Sequence, residues 1–499
     1  MGPKIDAAPH SAGITASPSW FSRLFLPLTL ALATLLSFAF LNSYENWGDD
    51  WAQYILQGQA ILDHNLKECV RQSAFMSLES AKSPGPVAYP WGLPLLLALE
   101  GSLFSFTLPV FKFFNILIFL LLVLAIYRLA QRFFNNAQAL AVAAIFAFNP
   151  SFLHYANHVL SEIPFTLVSV WAFIAMESRD SSERSRFRSR LLTGALAFAA
   201  FTFRINGVFI LAAATVKEFL PSPEQKGLRW PTWKALLLPY LPFFLLYAIW
   251  RAVFPGGGEG YLQLLRAVTV HSLVTNALAY PVSLFDFFTS GHYSFVTAIL
   301  LGPLVLWGAF TSWRRTAHIS VYGLLTLAMY IVWTYLQGYR FMLPVTPFLV
   351  ILMMFGLAAF AQWKTPGKLA PRLALLVQYG IPILFLLVSS ALVATGKLPQ
   401  EKWTPYDQPS SEMFQWIRSN TSSDAVISFF KPRAMHLLGQ RLCLTPTLAD
   451  VPKVSYFVYS KEHTWNEEHP SLQQYQQAAA MTPVFENRNF IVFRVGPKP

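Results

Sequence analysis

Charged side chains are scarce in this chain. They make up 12% of its 499 residues, against 54% hydrophobic, where soluble domains carry about 25% charge. A fold wetted on all sides is excluded. Cysteine is scarcer still: Cys69 and Cys443 are the only two, too few for a Cys-rich zinc site or a disulfide framework. Both fall in segments assigned below to the outside of the cytoplasm, where a disulfide is allowed; two separate thiols is the preferred reading. A basic stripe with interleaved stacking aromatics is also missing, which argues against nucleic acid as a partner despite a net charge of +12. No inverted repeat of the kind that marks many transporters is present. No small-residue cleavage pattern follows the first apolar run, only Asn42-Ser43-Tyr44-Glu45, so that run reads as an uncleaved span.

What is present is a series of apolar runs about as long as a helix needs to cross a hydrocarbon core. A β-barrel would show short alternating segments instead. The runs lie near 24–42, 110–127, 137–155, 161–176, 191–203, 205–220, 235–253, 294–311, 319–336, 341–361 and 373–395, which predicts about eleven spans. The run 91–106 contains Pro94 and Glu100 and is short enough to be interfacial or re-entrant.

Charge arbitrates that point. If 91–106 does not span, Arg128 and Arg132, Arg179 through Arg190, Lys217–Lys234, Arg314-Arg315 and Lys364–Arg372 all share one face. The positive-inside bias makes that face cytoplasmic. Loop 43–109, loop 156–160, loop 254–293, the turn at Gln337–Arg340 and everything after Thr395 then fall outside, and the N-terminus inside. From Gly396 the chain turns polar. Met413, Phe414 and Ile417 have helical spacing, and Ala425–Phe430, Val454–Tyr459 and Asn489–Val495 read as strands, predicting a small α/β domain.

The strongest local signal is Asn46-Trp47-Gly48-Asp49-Asp50-Trp51-Ala52-Gln53-Tyr54, directly after the first span. Ala52, Ile55, Leu56 and Gln59-Ala60 follow at amphipathic spacing, so the acidic pair opens a helix at the interface. An acid there suits the helix dipole. A carboxylate held at the interface can equally serve as general base toward a hydroxyl presented from water.

The Asp-Asp-x-x-x-Tyr pattern resembles the first-loop acidic motif of the GT-C glycosyltransferases, among them protein O-mannosyltransferases and lipid A aminoarabinose transferases. Tyr89-Pro90-Trp91-Gly92-Leu93-Pro94-Leu95 is similar to the proline-rich juxtamembrane helix of that loop. Asn149-Pro150 through Ser161-Glu162-Ile163-Pro164 is similar to the second external loop, and Gly338-Tyr339-Arg340-Phe341-Met342-Leu343-Pro344-Val345-Thr346-Pro347 to a segment that opens a late span. Together these cover roughly residues 24–360.

The resemblance implies a sugar donor on a polyprenyl phosphate and an inverting transfer. Aligned on Tyr54, the catalytic acid falls on Asp50, or on Asp49 if the register moves by one. Where some relatives place a phosphate-binding lysine, this chain has Tyr89, and Lys82 is the nearest base. Breaking the sugar–phosphate bond leaves charge that needs cations on the outer face. Arg340 and Arg251 lie at outer ends of spans, with a snorkelling anchor the alternative for each. Glu162 opens a span on the same side and is a candidate for orienting the acceptor or Asp50.

Other groups carry weaker signals. His154 and His158 have ligand-like spacing without a third ligand, and no metal site is assigned. A divalent cation is left open, and no other cofactor is implied. Gly256-Gly257-Gly258 lacks the Lys-Ser/Thr of a phosphate loop. Asp286 and His292 lie in the large external loop, where they can touch substrate, and Lys431-Pro432-Arg433 resembles a recurring segment of bacterial relatives but has no assigned role.

The expectation is an all-α polytopic membrane protein with a small C-terminal extracytoplasmic α/β domain. Residues 1–395 form the transmembrane catalytic domain, with first external loop 43–109, and residues 396–499 the outer domain. The expected activity is transfer of a sugar from a polyprenyl-phosphate donor to a lipid, glycan or protein hydroxyl, at the outer face of a plasma or inner membrane. The alternatives are a lipid-linked sugar flippase and a non-enzymatic envelope assembly protein. A flippase calls for ionisable residues in mid-span, and Lys112 and Arg204 sit near ends.

Overall fold

A computed structural model describes residues 19–178, 182–220, 230–256, 265–266, 268–289, 293–334, 336–362, 369–396, 403–462 and 470–496. Gly257, Gly258 and His292 lie outside that set, as do 179–181, 221–229 and 363–368 of the basic loops.

The chain is mostly helical, with one small sheet near its end. Among the described residues five helices are long and apolar enough to cross a bilayer: Leu108–Ala130, Trp233–Val253, Ser294–Thr311, Tyr339–Ala361 and Pro371–Ala394. Asn136–Ala147 and Pro150–Ala156 make a sixth if taken as one span bent by 60°.

The expectation of about eleven spans is corrected by that count. Hydropathy registers apolar runs, whereas spanning needs an unbroken, weakly charged helix. The run 161–176 becomes a helix of 15 residues, Glu162–Met176. Runs 191–203 and 319–336 belong to helices Glu183–Phe203 and Trp313–Ile331, which start on charged turns. Run 205–220 opens as a 3-10 turn, because Arg204 is extended (φ −151°, ψ 138°). Helix Gly92–Leu103 has only 12 residues.

Helix ends follow from side-chain chemistry. Asn135 and Asn149 accept from the backbone N–H of Gln138 and Phe152, and Pro150 after Asn149 turns the chain between the two halves of the bent pair. Helices Ser294–Thr311 and Thr346–Ala361 meet through two glycines. A Cβ on Gly308 would lie 1.9 Å from the Leu352 carbonyl oxygen, and one on Gly356 1.9 Å from that of Leu304. Thr346–Ala361 is enclosed by other helices, while Ser294–Thr311 turns Phe295, Leu300, Leu306 and Phe310 outward. Such exposure of large apolar side chains fits a lipid-facing surface.

Near the N-terminal end of Leu108–Ala130, Lys112 is fully enclosed and donates to Asn42 Oδ1 at 2.7 Å, with Glu45 Oε1 at 3.3 Å. Glu45 also lies 2.7 Å from His158 Nδ1, and His158 Nε2 lies 3.1 Å from His154 Nε2. The two histidines therefore pair with each other and with an acid.

The C-terminal sheet has strand order β2-β1-β3-β5-β4, with β1 Ile427–Ser428, β2 Cys443–Leu444, β3 Tyr456–Ser460, β4 Ala480–Glu486 and β5 Phe490–Gly496. β1 pairs in parallel with β2 and β3, and β5 antiparallel with β3 and β4. Helix Gln408–Asn420, capped by Asp407 on the Ser410 N–H, buries Met413, Phe414 and Ile417. Trp47, just before the acidic pair, is packed in this region's core, its ring centre 5.0 Å from that of Trp403 and 4.9 Å from that of Phe430. Cys69 and Cys443 are free and buried.

Candidate active site

Helix Asp50–Leu62 carries the acid of interest in its first turn. Positions i, i+4 and i+7 share a helix face, so Asp50, Tyr54 and Gln57 line up. Gln57 accepts from the Tyr89 N–H and donates to the Tyr89 carbonyl, both at 3.0 Å, clamping the following loop against the helix. The Tyr89 ring then lies 4.8 Å from that of Tyr54, and its hydroxyl donates to Asp50 Oδ1.

Cations arrive from distant segments. Arg340, on the short helix Tyr339–Met342 behind Gly338 (φ +55°), places Nη1 2.6 Å from Asp50 Oδ2 and donates from Nε to Glu162 Oε1 at 2.6 Å. Arg204, extended between two helices, puts Nη1 2.8 Å from the same Glu162 oxygen. Its guanidinium stacks 4.9 Å from the Phe341 ring and donates to the Tyr330 hydroxyl at 3.3 Å. Glu162 is fully buried, and its Oε2 has no hydrogen-bond partner among the described residues.

A third guanidinium comes from the C-terminal region. Arg433 Nη1 donates to the Tyr89 hydroxyl at 2.9 Å and lies 3.7 Å from Asp50 Oδ1, while Nη2 donates to the Pro86 carbonyl at 2.6 Å. Burial alone would raise the Asp50 pKa, but Arg340 first and then Arg433 overcome that and hold it down to about 2. Asp50 is therefore ionised at any physiological pH. Asp49 faces elsewhere: its carboxylate accepts from the backbone N–H of Ala434 at 3.0 Å and of Arg433 at 3.3 Å. Burial pushes its pKa upward.

Beside them is a cavity of about 120 Å³, lined by Asp50, Tyr54, Tyr89, Ser161, Arg204 and Arg340 among others. Ile205 and Met329 also line a second, apolar groove with Phe201, Phe209, Phe243 and Tyr247. Of the residues chosen from sequence, Asp50, Tyr54, Tyr89 and Arg340 thus meet at one cavity, with Glu162 behind them. Arg251 is exposed and folds over Gly256, and Lys82 is exposed; neither lines the cavity. Among the described residues no group of three His, Cys, Asp or Glu side chains is placed to hold a metal ion.

Sequence reasoning missed Ser161, whose hydroxyl lies 3.0 Å from that of Tyr54, and Tyr330, and it left Arg204 and Arg433 without a role. Arg204 stands in a stretch with no local signature, and Arg433 in the Lys431-Pro432-Arg433 segment, which was noticed but given no role.

Residues 86–250 match the family model described as dolichyl-phosphate-mannose-protein mannosyltransferase. Solved structures extend the likeness over most of the chain. The oligosaccharyltransferase AglB of Archaeoglobus fulgidus, in complex with an inhibitory peptide and a dolichol-phosphate, superposes with a TM-score of 0.55 at 13% identity, over 89% of this chain and 70% of AglB. ArnT from Cupriavidus metallidurans, bound to undecaprenyl phosphate, gives 0.53 at 12%, over 94% and 97% of the two chains. The chain has the GT-C fold. The mycobacterial arabinofuranosyltransferase AftD shares it, with a TM-score of 0.53 at 12% identity over 95% of this chain and 42% of AftD. Comparison with curated protein sequences gives no match. On this GT-C frame the family-model match ends before Arg340.

Proposed function

We propose that this chain is an inverting glycosyltransferase that moves a sugar from a polyprenyl-phosphate donor to an acceptor hydroxyl at the outer face of the membrane. The observation that carries the reading is the shared cavity of one ionised carboxylate, Asp50, and two guanidinium groups, Arg204 and Arg340, continuous in its lining with an aromatic groove. A lipid phosphate is an anion on an apolar tail, and those two surfaces match its two halves. That AglB and ArnT were solved with dolichol-phosphate and undecaprenyl phosphate supports the same donor class here.

Asp50 takes the proton from the acceptor hydroxyl, whose oxygen attacks the anomeric carbon from the face opposite the phosphate. The bond between that carbon and the phosphate oxygen breaks, and its electron pair leaves with the lipid phosphate. Arg340, with Arg204 behind it, meets the charge that grows there; fixed cations in a partly dry site act most strongly on charge that develops in the transition state. Glu162 holds both guanidinium groups in place.

The test uses the full-length protein in lipid nanodiscs with a panel of short-chain polyprenyl-phosphate sugars, measuring released polyprenyl phosphate by mass spectrometry. Release by the wild type, lost by about 10²–10⁴ in Asp50→Asn with short-chain polyprenyl phosphate still bound, is the expected result. Undiminished release in Asp50→Asn, with loss in Asp49→Asn, moves the base by one residue. Undiminished release in the double variant removes this loop from the chemistry.

A further inference from the structure

We infer that Arg433, carried by the C-terminal α/β region, is a positioning residue that orients the Asp50 carboxylate through the Tyr89 hydroxyl. The inference rests on the reading of Asp50 as the base and deepens it.

Arg433 is 1% exposed. Burying a guanidinium is costly, and a buried ion pair is often no more stable than a well-packed apolar replacement. Stability alone therefore gives weak reason for an arginine here. The surroundings are shaped around it. Its guanidinium lies over the Tyr89 ring at 4.9 Å. Gly85, at φ +140°, passes so close that a Cβ there would fall 2.9 Å from Arg433 Nη2. Its donors reach the Tyr89 hydroxyl and the Pro86 carbonyl, so it grips the Pro86–Tyr89 loop at both ends. Tyr89 accepts from Arg433 and donates to Asp50, which makes the phenol a relay with a set direction.

The two oxygens of Asp50 are held by different elements: Oδ2 by Arg340, Oδ1 by Tyr89 with Arg433 behind it. That division matters once a donor binds. An incoming phosphate competes for Arg340, and whatever Arg340 gives up must be supplied from elsewhere if the carboxylate is to keep its angle. Arg433 lies outside the cavity lining and is tied at its backbone, with Ala434, to Asp49. Trp47 anchors the same stretch in the C-terminal core. The acidic pair is thus bracketed by contacts from the tail, and Arg433 can hold Asp50 while Arg340 turns to the phosphate.

The experiment compares Arg433→Gln, Arg433→Lys, Tyr89→Phe, Arg433→Gln in the Tyr89→Phe background, and Asp50→Asn. Each is made in the full chain in nanodiscs and assayed for polyprenyl-phosphate release from a short-chain polyprenyl-phosphate sugar. Misplacing a catalytic group by a fraction of its reach costs up to about 10²-fold. The expected result for Arg433→Gln is a fall in kcat of about 10–100-fold, with donor KM within about threefold, and partial recovery in Arg433→Lys. In the Tyr89→Phe background, where the relay is already cut, Arg433→Gln should cost less than about threefold more. A purely structural arginine would lower the yield of folded protein without splitting kcat from KM. If Arg433→Gln does not fold, Tyr89→Phe, which keeps the ring and loses only the hydroxyl, should by itself lower kcat about tenfold. Wild-type kcat in folded Arg433→Gln or in Tyr89→Phe, or losses that multiply in full in the double variant, overturn the inference. Full activity in Asp50→Asn overturns the reading beneath it instead, so the two failures are separate.

Discussion

Arg340 Nη1 lies 2.6 Å from Asp50 Oδ2 in the wall of the cavity. The acid assigned to take the proton and the cation assigned to meet the phosphate therefore neutralise each other until a ligand divides them. Opposite charges at that range each favour the ionised state of the other, so the pair keeps Asp50 deprotonated but weakly basic. On the proposed mechanism, a donor phosphate that draws Arg340 away strengthens the base at the moment it is needed.

The pair sets a pH dependence. The Asp50 pKa is held below the ordinary value, to about 2, so its contribution is complete above about pH 4 and is lost only as pH falls toward that lower value. Wild-type kcat/KM, which reports the free enzyme, should show no Asp50 limb above about pH 4. Arg340→Gln removes the stronger cation, and an acid limb should then move up into the measurable range. A limb near pH 5 in the wild type that vanishes in Asp50→Asn would mean the pair does not hold in the membrane.

Arg340 should also separate rate from binding. Its Nε and Nη1 serve two carboxylates at once, a forked geometry that an ammonium cannot copy. Arg340→Gln is expected to slow single-turnover transfer more than it weakens donor affinity, and Arg340→Lys to recover only part. Full recovery in Arg340→Lys would reduce the residue to a snorkelling anchor.

Helix contact at Gly308 should be intolerant of one carbon. Gly308→Ala puts a methyl 1.9 Å from the Leu352 carbonyl oxygen, and forcing the helices apart costs about 1–3 kcal/mol. Gly380, inside helix Leu369–Ala394, where a Cβ meets nothing within 4 Å beyond its chain neighbours, is the control. Gly380→Ala should be neutral or stabilising by up to about 1 kcal/mol. Equal melting temperatures for the two variants in detergent would refute the packing.

Trp47 should couple the tail to the acidic pair. It is 3% exposed among Trp403, Phe414, Phe429 and Phe430. Trp47→Ala should cost about 3–5 kcal/mol and speed hydrogen exchange both in 425–445 and in 47–57. Faster exchange in one segment alone would show that they are not held together.

Topology can be read with single cysteines. Both native cysteines are buried, so a polar maleimide should report only introduced ones. Ser185→Cys, in the helix after the basic loop, and Ser460→Cys, at the end of β3, should label from opposite sides of sealed vesicles. Labelling from the same side would reverse the orientation assigned to the tail.

How much could be read without coordinates differs between fold and site. Low charge and long apolar runs dictate a helical membrane protein, because water and lipid each sort side chains by polarity. The helix over Met413, Phe414 and Ile417 and strands near 427, 456 and 490 were legible for the same local reason. Asp50 and Tyr54 were picked out by the resemblance of the Asp-Asp-x-x-x-Tyr stretch to a family motif, and helix Asp50–Leu62 then puts them on one face as i and i+4. The number of spans was not legible, since hydropathy does not register where Arg204 breaks a helix or where charge enters the first turn of Glu183–Phe203. The choice between Asp49 and Asp50 was likewise undetermined: adjacent acids look alike until one is seen bonded to the Ala434 N–H and the other paired with Arg340 at the cavity. Arg204 and Arg433 were beyond reach for a related reason. They reach Glu162 and Tyr89 from segments far away in sequence, and only the packing of helices and the seating of the tail bring those charges together.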